Sequence, residues 1–225
     1  MDTLEKMPDY TEIMRVKNTL KVAETLAKAG GVANFSEIEL NSGVRGNLLT
    51  HHLSRLQALH IVEREGRGTY RLRYKTPLCF LFDEKTPTAY FGLLGRRSGR
   101  KEPETATALR LLGKERVESK LVYVVTSPEA LAEWKELRLP YQWILCYEEE
   151  IVDTDAIREK VRPQMESLLR SYSLIMDCTS STKPATIAYY QLAETYLIPL
   201  IYVYEEKHQL RWLISKADIA KRLGV

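Results

Sequence analysis

Apolar residues recur at a helical period over residues 11–29, where Ile13, Val16, Leu20, Ala23 and Ala27 share a stripe that Gly30-Gly31 ends. A short helix is expected at residues 35–40, opened by Asn34 or Ser36, with Glu37 and Glu39 in its first turn, where negative charge suits the helix dipole. Asn41-Ser42-Gly43 breaks the chain before a third helix at residues 45–59. Its apolar stripe is Leu49, Leu53 and Leu56, and Asn47, Thr50, His51 and Ser54 lie opposite. Residues 61–65 and 69–73 then alternate about Gly66-Arg67-Gly68, the pattern of a hairpin.

Beyond Pro77 the period changes. Apolar runs at 78–82, 89–94, 121–126, 142–147, 174–177 and 200–204 predict strands, with helices at 104–112, 128–135, 154–170 and from Lys183-Pro184 onward. Turns are expected at 83–87 and 205–208, a last hairpin strand at 209–214 and a closing helix at 215–223. Strand and helix units in alternation, with Val/Ile/Leu-rich strands, imply a mainly parallel sheet covered on both faces. The fold class is therefore α/β preceded by a smaller α+β domain. The domains are drawn at residues 1–76 and 77–225, with residues 1–10 as a loose arm or a short dimer contact.

Composition changes this picture little. With 225 residues, 44% hydrophobic and 28% charged, the chain is long enough for two cores and ordinary for a globular protein. No apolar run approaches the about eighteen residues of a membrane span, and the charged start at residues 2–6 lacks a signal-peptide core. The expectation is a cytoplasmic protein with no membrane partner. Cys79, Cys146 and Cys178 are far apart in apolar stretches, as buried free thiols are. His51 and His52 diverge on a helix and His60 lies roughly 12 Å beyond His52, so the histidines alone build no metal site. The net charge of +3 decides nothing, but residues 41–76 hold seven Lys/Arg against Glu63 and Glu65, a local balance of +5.

Two stretches carry candidate chemistry. The outward face of the third helix is short, polar and nearly uncharged, unlike a solvated surface of Lys and Glu pairs. Asn47, Thr50, His51 and Ser54 are side chains that reach base edges in a major groove. Arg45 and Arg55 flank them, and Arg67 at the hairpin tip can meet phosphates or a minor groove. The second stretch is Asp177-Cys178-Thr179-Ser180-Ser181-Thr182-Lys183-Pro184, which follows a strand and opens a helix. Pro184 suits the first helical turn, and Ser181 or Thr182 supplies a capping hydroxyl. Free N–H groups, the hydroxyls of Thr179, Ser180, Ser181 and Thr182 and the ammonium of Lys183 would converge there on an anion. The basic loop Gly95-Arg96-Arg97-Ser98-Gly99-Arg100-Lys101 also follows a strand and shares that sheet edge, so Arg96, Arg97, Ser98 and Gly99 join the ligand candidates. It is no Walker A loop, and the lack of Gly-x-Gly-x-x-Gly argues against a dinucleotide.

Asp-x-Thr-x-x-Thr-Lys-Pro after an apolar strand resembles the signature of CARF domains, the CRISPR-associated Rossmann-fold sensors of cyclic oligoadenylates. That family often has Gly-Gly where this chain has Ser180-Ser181, a departure that adds side chains beside the ligand. The run from Asn47 through Leu72 resembles winged helix-turn-helix regulators of the ArsR-like type, without the metal-binding cysteines of many such repressors. CARF regulators often carry the winged helix after the sensor; here it comes before. The resemblances imply a homodimeric transcription regulator with double-stranded DNA as partner. Cyclic tetra-adenylate would be the first signalling ligand to try, held between two signature loops, with no cofactor or metal. Asp177 would brace the loop. They also leave open a ring nuclease using Lys183 with Ser98 or Ser181, or a regulator sensing another nucleotide or a protein partner.

Overall fold

The computed structural model describes residues 6–13, 15–83, 85–137, 139–204 and 207–225. The first five residues of the expected arm, and Glu84, Glu205 and Glu206 of two expected turns, lie outside the described residues. The chain divides into two compact units, Met1–Thr86 with Leu169–Ser171 and Lys216–Val225, and Pro87–Leu168 with Tyr172–Ser215.

In the first unit, α1 (Lys17–Lys28) buries Val22, Ala23, Leu26 and Ala27. It starts later than the apolar period suggests. The Asp9 carboxylate accepts the Thr11 N–H at 3.0 Å and the Thr11 hydroxyl at 2.6 Å, a local turn that competes with helix while Ile13 stays buried. Gly30 and Gly31 both take positive φ and end the helix. A short strand, β1 (Val32–Asn34), precedes α2 (Phe35–Ser42) and escaped the sequence pattern, being too short to alternate. Asn34 caps α2 in a reciprocal box with Glu37, two bonds of 2.9 Å. Then come α3 (Gly46–Ala58), β2 (Val62–Glu65) and β3 (Thr69–Leu72). The three strands form an antiparallel sheet in the order β1-β3-β2.

Residues 78–82 are not the expected strand but a helix, α4 (Leu78–Phe82). A five-residue apolar run does not tell strand from buried helix by period. Here the Cys79 N–H donates to the Lys75 carbonyl at 2.7 Å and the Asp83 N–H to the Cys79 carbonyl at 2.8 Å, while α4 packs on α1. The units accordingly part at 86/87 rather than at 76/77. The last helix, α10 (Lys216–Leu223), buries Ile219 and Leu223 and packs on α4, so it too belongs with the first unit.

The second unit is a six-stranded sheet in the order β6-β5-β4-β7-β8-β9. Its strands are β4 (Thr88–Leu94), β5 (Ser119–Thr126), β6 (Gln142–Leu145), β7 (Ser173–Asp177), β8 (Leu200–Tyr204) and β9 (Gln209–Ile214). All neighbours are parallel except β8 and β9. Its helices are α5 (Glu104–Lys114), α6 (Pro128–Glu133), α7 (Glu148–Ile151), α8 (Thr154–Ser171), whose last three residues belong to the first unit, and α9 (Lys183–Tyr196). The α/β class is as expected. The sequence pattern missed α7, a single turn of three glutamates.

Strands β4 and β7 lie at the centre of the sheet and are almost wholly buried, as their unbroken apolar runs require. Glycine in β4 has a steric cause. A Cβ on Gly92 would come within 2.5 Å of the Tyr90 ring, which lies along that face and reaches Asp177. Parallel strands end their carboxyl termini on one edge, so the loops after β4, β5 and β7 meet there.

Candidate functional site

Those loops enclose a cavity of about 390 Å³. One wall is the β7–α9 loop, Thr179 through Thr182; the facing wall is Gly95, Arg96, Ser98 and Arg100 after β4, with Glu104 of α5. Ser127 and Ala130 after β5, and Glu148, Ile151 and Val152 around α7, complete the lining.

The loop is held from beneath. Asp177 is buried and accepts the Tyr90 hydroxyl at 2.5 Å, the Thr179 N–H at 2.8 Å and the Thr179 hydroxyl. Burial pushes its carboxyl up to about 6, opposed by the Thr179 and Tyr90 hydrogen bonds and assisted by the nearby Glu104 charge. The two walls are pinned to each other. The Gly95 N–H donates to the Ser180 hydroxyl at 2.8 Å, and a Cβ on Gly95 would stand 3.0 Å from both the Ser180 oxygen and the Ser181 nitrogen. The Gly95 carbonyl accepts the Trp134 indole N–H at 2.9 Å.

Most of the hydroxyls expected to face a ligand are engaged with protein. Thr179 also accepts the Val203 N–H at 2.8 Å, tying the loop to β8. Thr182 is the N-cap of α9, accepting the Ala185 N–H at 3.3 Å and donating to the Ile151 carbonyl at 2.5 Å. Ser181, in the left-handed region at φ 79°, keeps its hydroxyl without a protein partner among the described residues. The first turn of α9 offers fewer donors than expected, because Pro184 has no N–H and that of Ala185 is taken. The loop supplies the remainder: the Ser180, Ser181 and Thr182 N–H groups donate to nothing among the described residues. Successive unpaired N–H groups form a nest for an anion.

The cations divide. Arg96 stands on the wall, 3.5 Å from Glu148, and Arg100 stands 3.0 Å from Glu104. Arg97 is off the wall. Its guanidinium lies over the Trp134 ring at 5.6 Å, donates to the Arg100 carbonyl at 3.0 Å and pairs with Glu136 at 3.6 Å. Gly99 bends the loop at φ 78° and Lys183 is exposed on α9; neither lines the cavity. With two arginines and two glutamates, the wall is neutral in formal charge rather than the expected cationic cradle. Arg100, Glu104 and Glu148 are wall residues that the sequence reading did not single out. Arg100 at least lay inside the basic run, whereas nothing in the sequence distinguishes Glu104 from other acids that open helices.

No cysteine offers a nucleophile. All three are buried, and burial pushes Cys178 up to about 12 and Cys79 and Cys146 to about 11. No cluster of His, Cys, Asp and Glu among the described residues could hold a metal ion.

In the first unit, Asn47, Thr50, His51 and Ser54 are exposed on one face of α3, with Arg45 exposed at its start and Arg67 exposed at the β2–β3 tip. Arg55 differs: it is half-buried and paired with Glu12 at 3.3 Å. Leu48 and Arg64 are exposed near these positions and carried no signal of their own. His52 turns inward, its Nδ1 2.9 Å from the Thr19 hydroxyl, so the adjacent histidines serve different surfaces.

An open, mainly parallel sheet with a cavity outside the carboxyl ends of its strands is a Rossmann-like α/β architecture. Three solved structures are similar to this chain in backbone. Protein VC1899 from Vibrio cholerae has 13% identity and a TM-score of 0.46, over 57% of this chain and 34% of that one. Can2 from Sulfobacillus thermosulfidooxidans, in complex with cyclic tetra-adenylate, has 14% identity and a TM-score of 0.42, over 57% and 35%. Csm6 from Enterococcus italicus, bound to cyclic hexa-2′-fluoro-hexa-dAMP, has 11% identity and a TM-score of 0.41, over 62% and 38%. The matched region spans little more than a third of each. No protein-family model matches the chain, nor does any curated protein.

Proposed function

We propose that the protein is a ligand-responsive, DNA-binding transcription regulator whose second unit senses a cyclic oligoadenylate, cyclic tetra-adenylate first among them. The observation that carries this is the run of Ser180, Ser181 and Thr182 N–H groups, unpaired among the described residues, in a loop that lines one cavity together with Arg96 and Arg100. A phosphate can take the nest and compete with Glu148 for Arg96. A cavity of about 390 Å³ lies near the lower end of the roughly 300–1,000 Å³ of small-ligand pockets. A ring of four adenylates therefore fits only if two such half-sites close on it, which is the case for a homodimer with its two-fold axis through the ring.

The first unit is read as a winged helix, with α3 in the major groove and Arg67 of the β2–β3 hairpin on the backbone or in the minor groove. Binding changes DNA affinity only as far as the ligand prefers one of two states of the dimer. Calorimetry with cyclic tri-, tetra- and hexa-adenylate, followed by DNA-binding titrations with and without the tightest ring, tests the proposal. The expected result is saturable heat with one ring per two chains and a shift in DNA affinity. No heat with any ring sinks the sensor. Chromatography of the same mixtures for linear products tells a sensor from a ring nuclease built on Ser98 or Ser181.

A further inference from the structure

Glu104 opens α5 with its side chain only 4% exposed, on the wall of the cavity. An acid in the first turn of a helix is ordinarily solvated, where it gains from the helix dipole at no desolvation cost. This one is buried and half satisfied. Its Oε1 pairs with the Arg100 guanidinium at 3.0 Å, while its Oε2 has no hydrogen-bond partner among the described residues. It also adds charge repulsion to Asp177, itself buried and already raised. A buried carboxylate with an unmatched oxygen is expensive to keep, and an apolar residue would fill the place more cheaply. The position makes sense if something that enters the cavity completes it.

We infer that Glu104 is a specificity-determining residue of the cavity, accepting a hydrogen bond from an N–H or O–H donor on the ligand's base or sugar. The inference rests on the nucleotide reading above and deepens it. A carboxylate repels phosphate, so the ligand's phosphate goes to the nest at Ser180–Thr182 and its donor end to Glu104 on the facing wall. Arg100 couples the two. When phosphate draws its guanidinium, Glu104 loses its cationic partner and needs the ligand's donor in its place. Cyclic oligoadenylate has two donors of this kind, the adenine 6-amino group and the ribose 2′-hydroxyl. A bare inorganic anion has neither.

The test is calorimetry of three rings against the full chain and against Glu104→Gln: cyclic tetra-adenylate, the same ring built from unsubstituted purine, which lacks the amino group, and the 2′-deoxy ring. In the wild type one of the two analogues binds about 10- to 100-fold more weakly than the parent, which identifies the donor. In Glu104→Gln the amide oxygen still accepts but carries no charge, so that difference falls by about three- to tenfold. Any general change from freeing Arg100 affects all three rings alike and cancels in the ratio. Glu104→Asp keeps the charge but withdraws it by one methylene, and serves if the glutamine variant does not fold; it too compresses the ratio. Parent and analogues binding equally to the wild type, or a ratio unchanged in the variants, overturns the inference while the sensor reading stands. No binding of any ring to the wild type overturns both.

Discussion

Along the 177–182 loop every polar side chain but that of Ser181 turns into the protein, whereas along α3 Asn47, Thr50, His51 and Ser54 turn to solvent. Both stretches look alike in sequence, short hydroxyl and amide residues beside basic ones. In the second unit those hydroxyls pin two loops together, and the Ser180, Ser181 and Thr182 N–H groups between them stay unpaired among the described residues. In the first unit the backbone is consumed by helix and the side chains are left. The loop cavity is thus shaped by side chains that serve as scaffolding, and the helix surface by residues that do little for the fold.

The contrast is broken most severely at Asp177. Asp177→Ala strips the acceptor from the Tyr90 hydroxyl and from both Thr179 donors, and should lower the unfolding free energy by on the order of 3 kcal/mol in a denaturant titration, abolishing ring binding as well. An unfolding midpoint equal to that of the wild type would show that the loop is not braced. Asp177→Asn sharpens the point through pH. The carboxyl is raised to about 6 in the folded chain, so the folded state holds its proton where the unfolded state has lost it. The stability this group contributes is present in full below the unfolded value near 4 and is lost as pH rises through about 6. The asparagine variant should lack that part of the decline.

Gly92→Ala is next. Its methyl group would meet the Tyr90 ring, displace it from Asp177 and cost about 1–3 kcal/mol, with ring affinity falling in step. The smallest effect on the fold belongs to the other surface. Arg67→Ala, at an exposed tip, should leave stability within about 0.5 kcal/mol. It should also lower DNA affinity for all sequences alike and reduce the salt slope of binding by about one. A large change in stability with no change in salt slope would contradict the DNA-contact role of the hairpin.

Local signals were legible in the sequence where one short-range interaction decides them. Asn34 or Ser36 ahead of α2, the Gly66-Arg67-Gly68 tip, and Ser181 or Thr182 ahead of Pro184 lie within a few residues of the bonds they make, and the structure selects Asn34 and Thr182 as the caps. The run at 78–82 reads as a strand because five apolar residues in a row carry no period that separates strand from helix. Sequence gives a charge no direction, and Arg97 in its loop and Lys183 at the head of α9 both lie off the wall. Trp134, distant in the chain, turns Arg97 aside.

The order of strands and helices, the parallel character of the sheet and the meeting of two loops at one edge follow from hydrophobic period and chain handedness, which act locally and repeat. Which hydroxyl braces, which N–H stays free and which carboxylate is left half paired depend on partners such as Tyr90, Ile151 and Val203, brought in from far along the chain. Those assignments belong to the tertiary structure, because a buried polar group is settled by whatever donor or acceptor packing delivers to it.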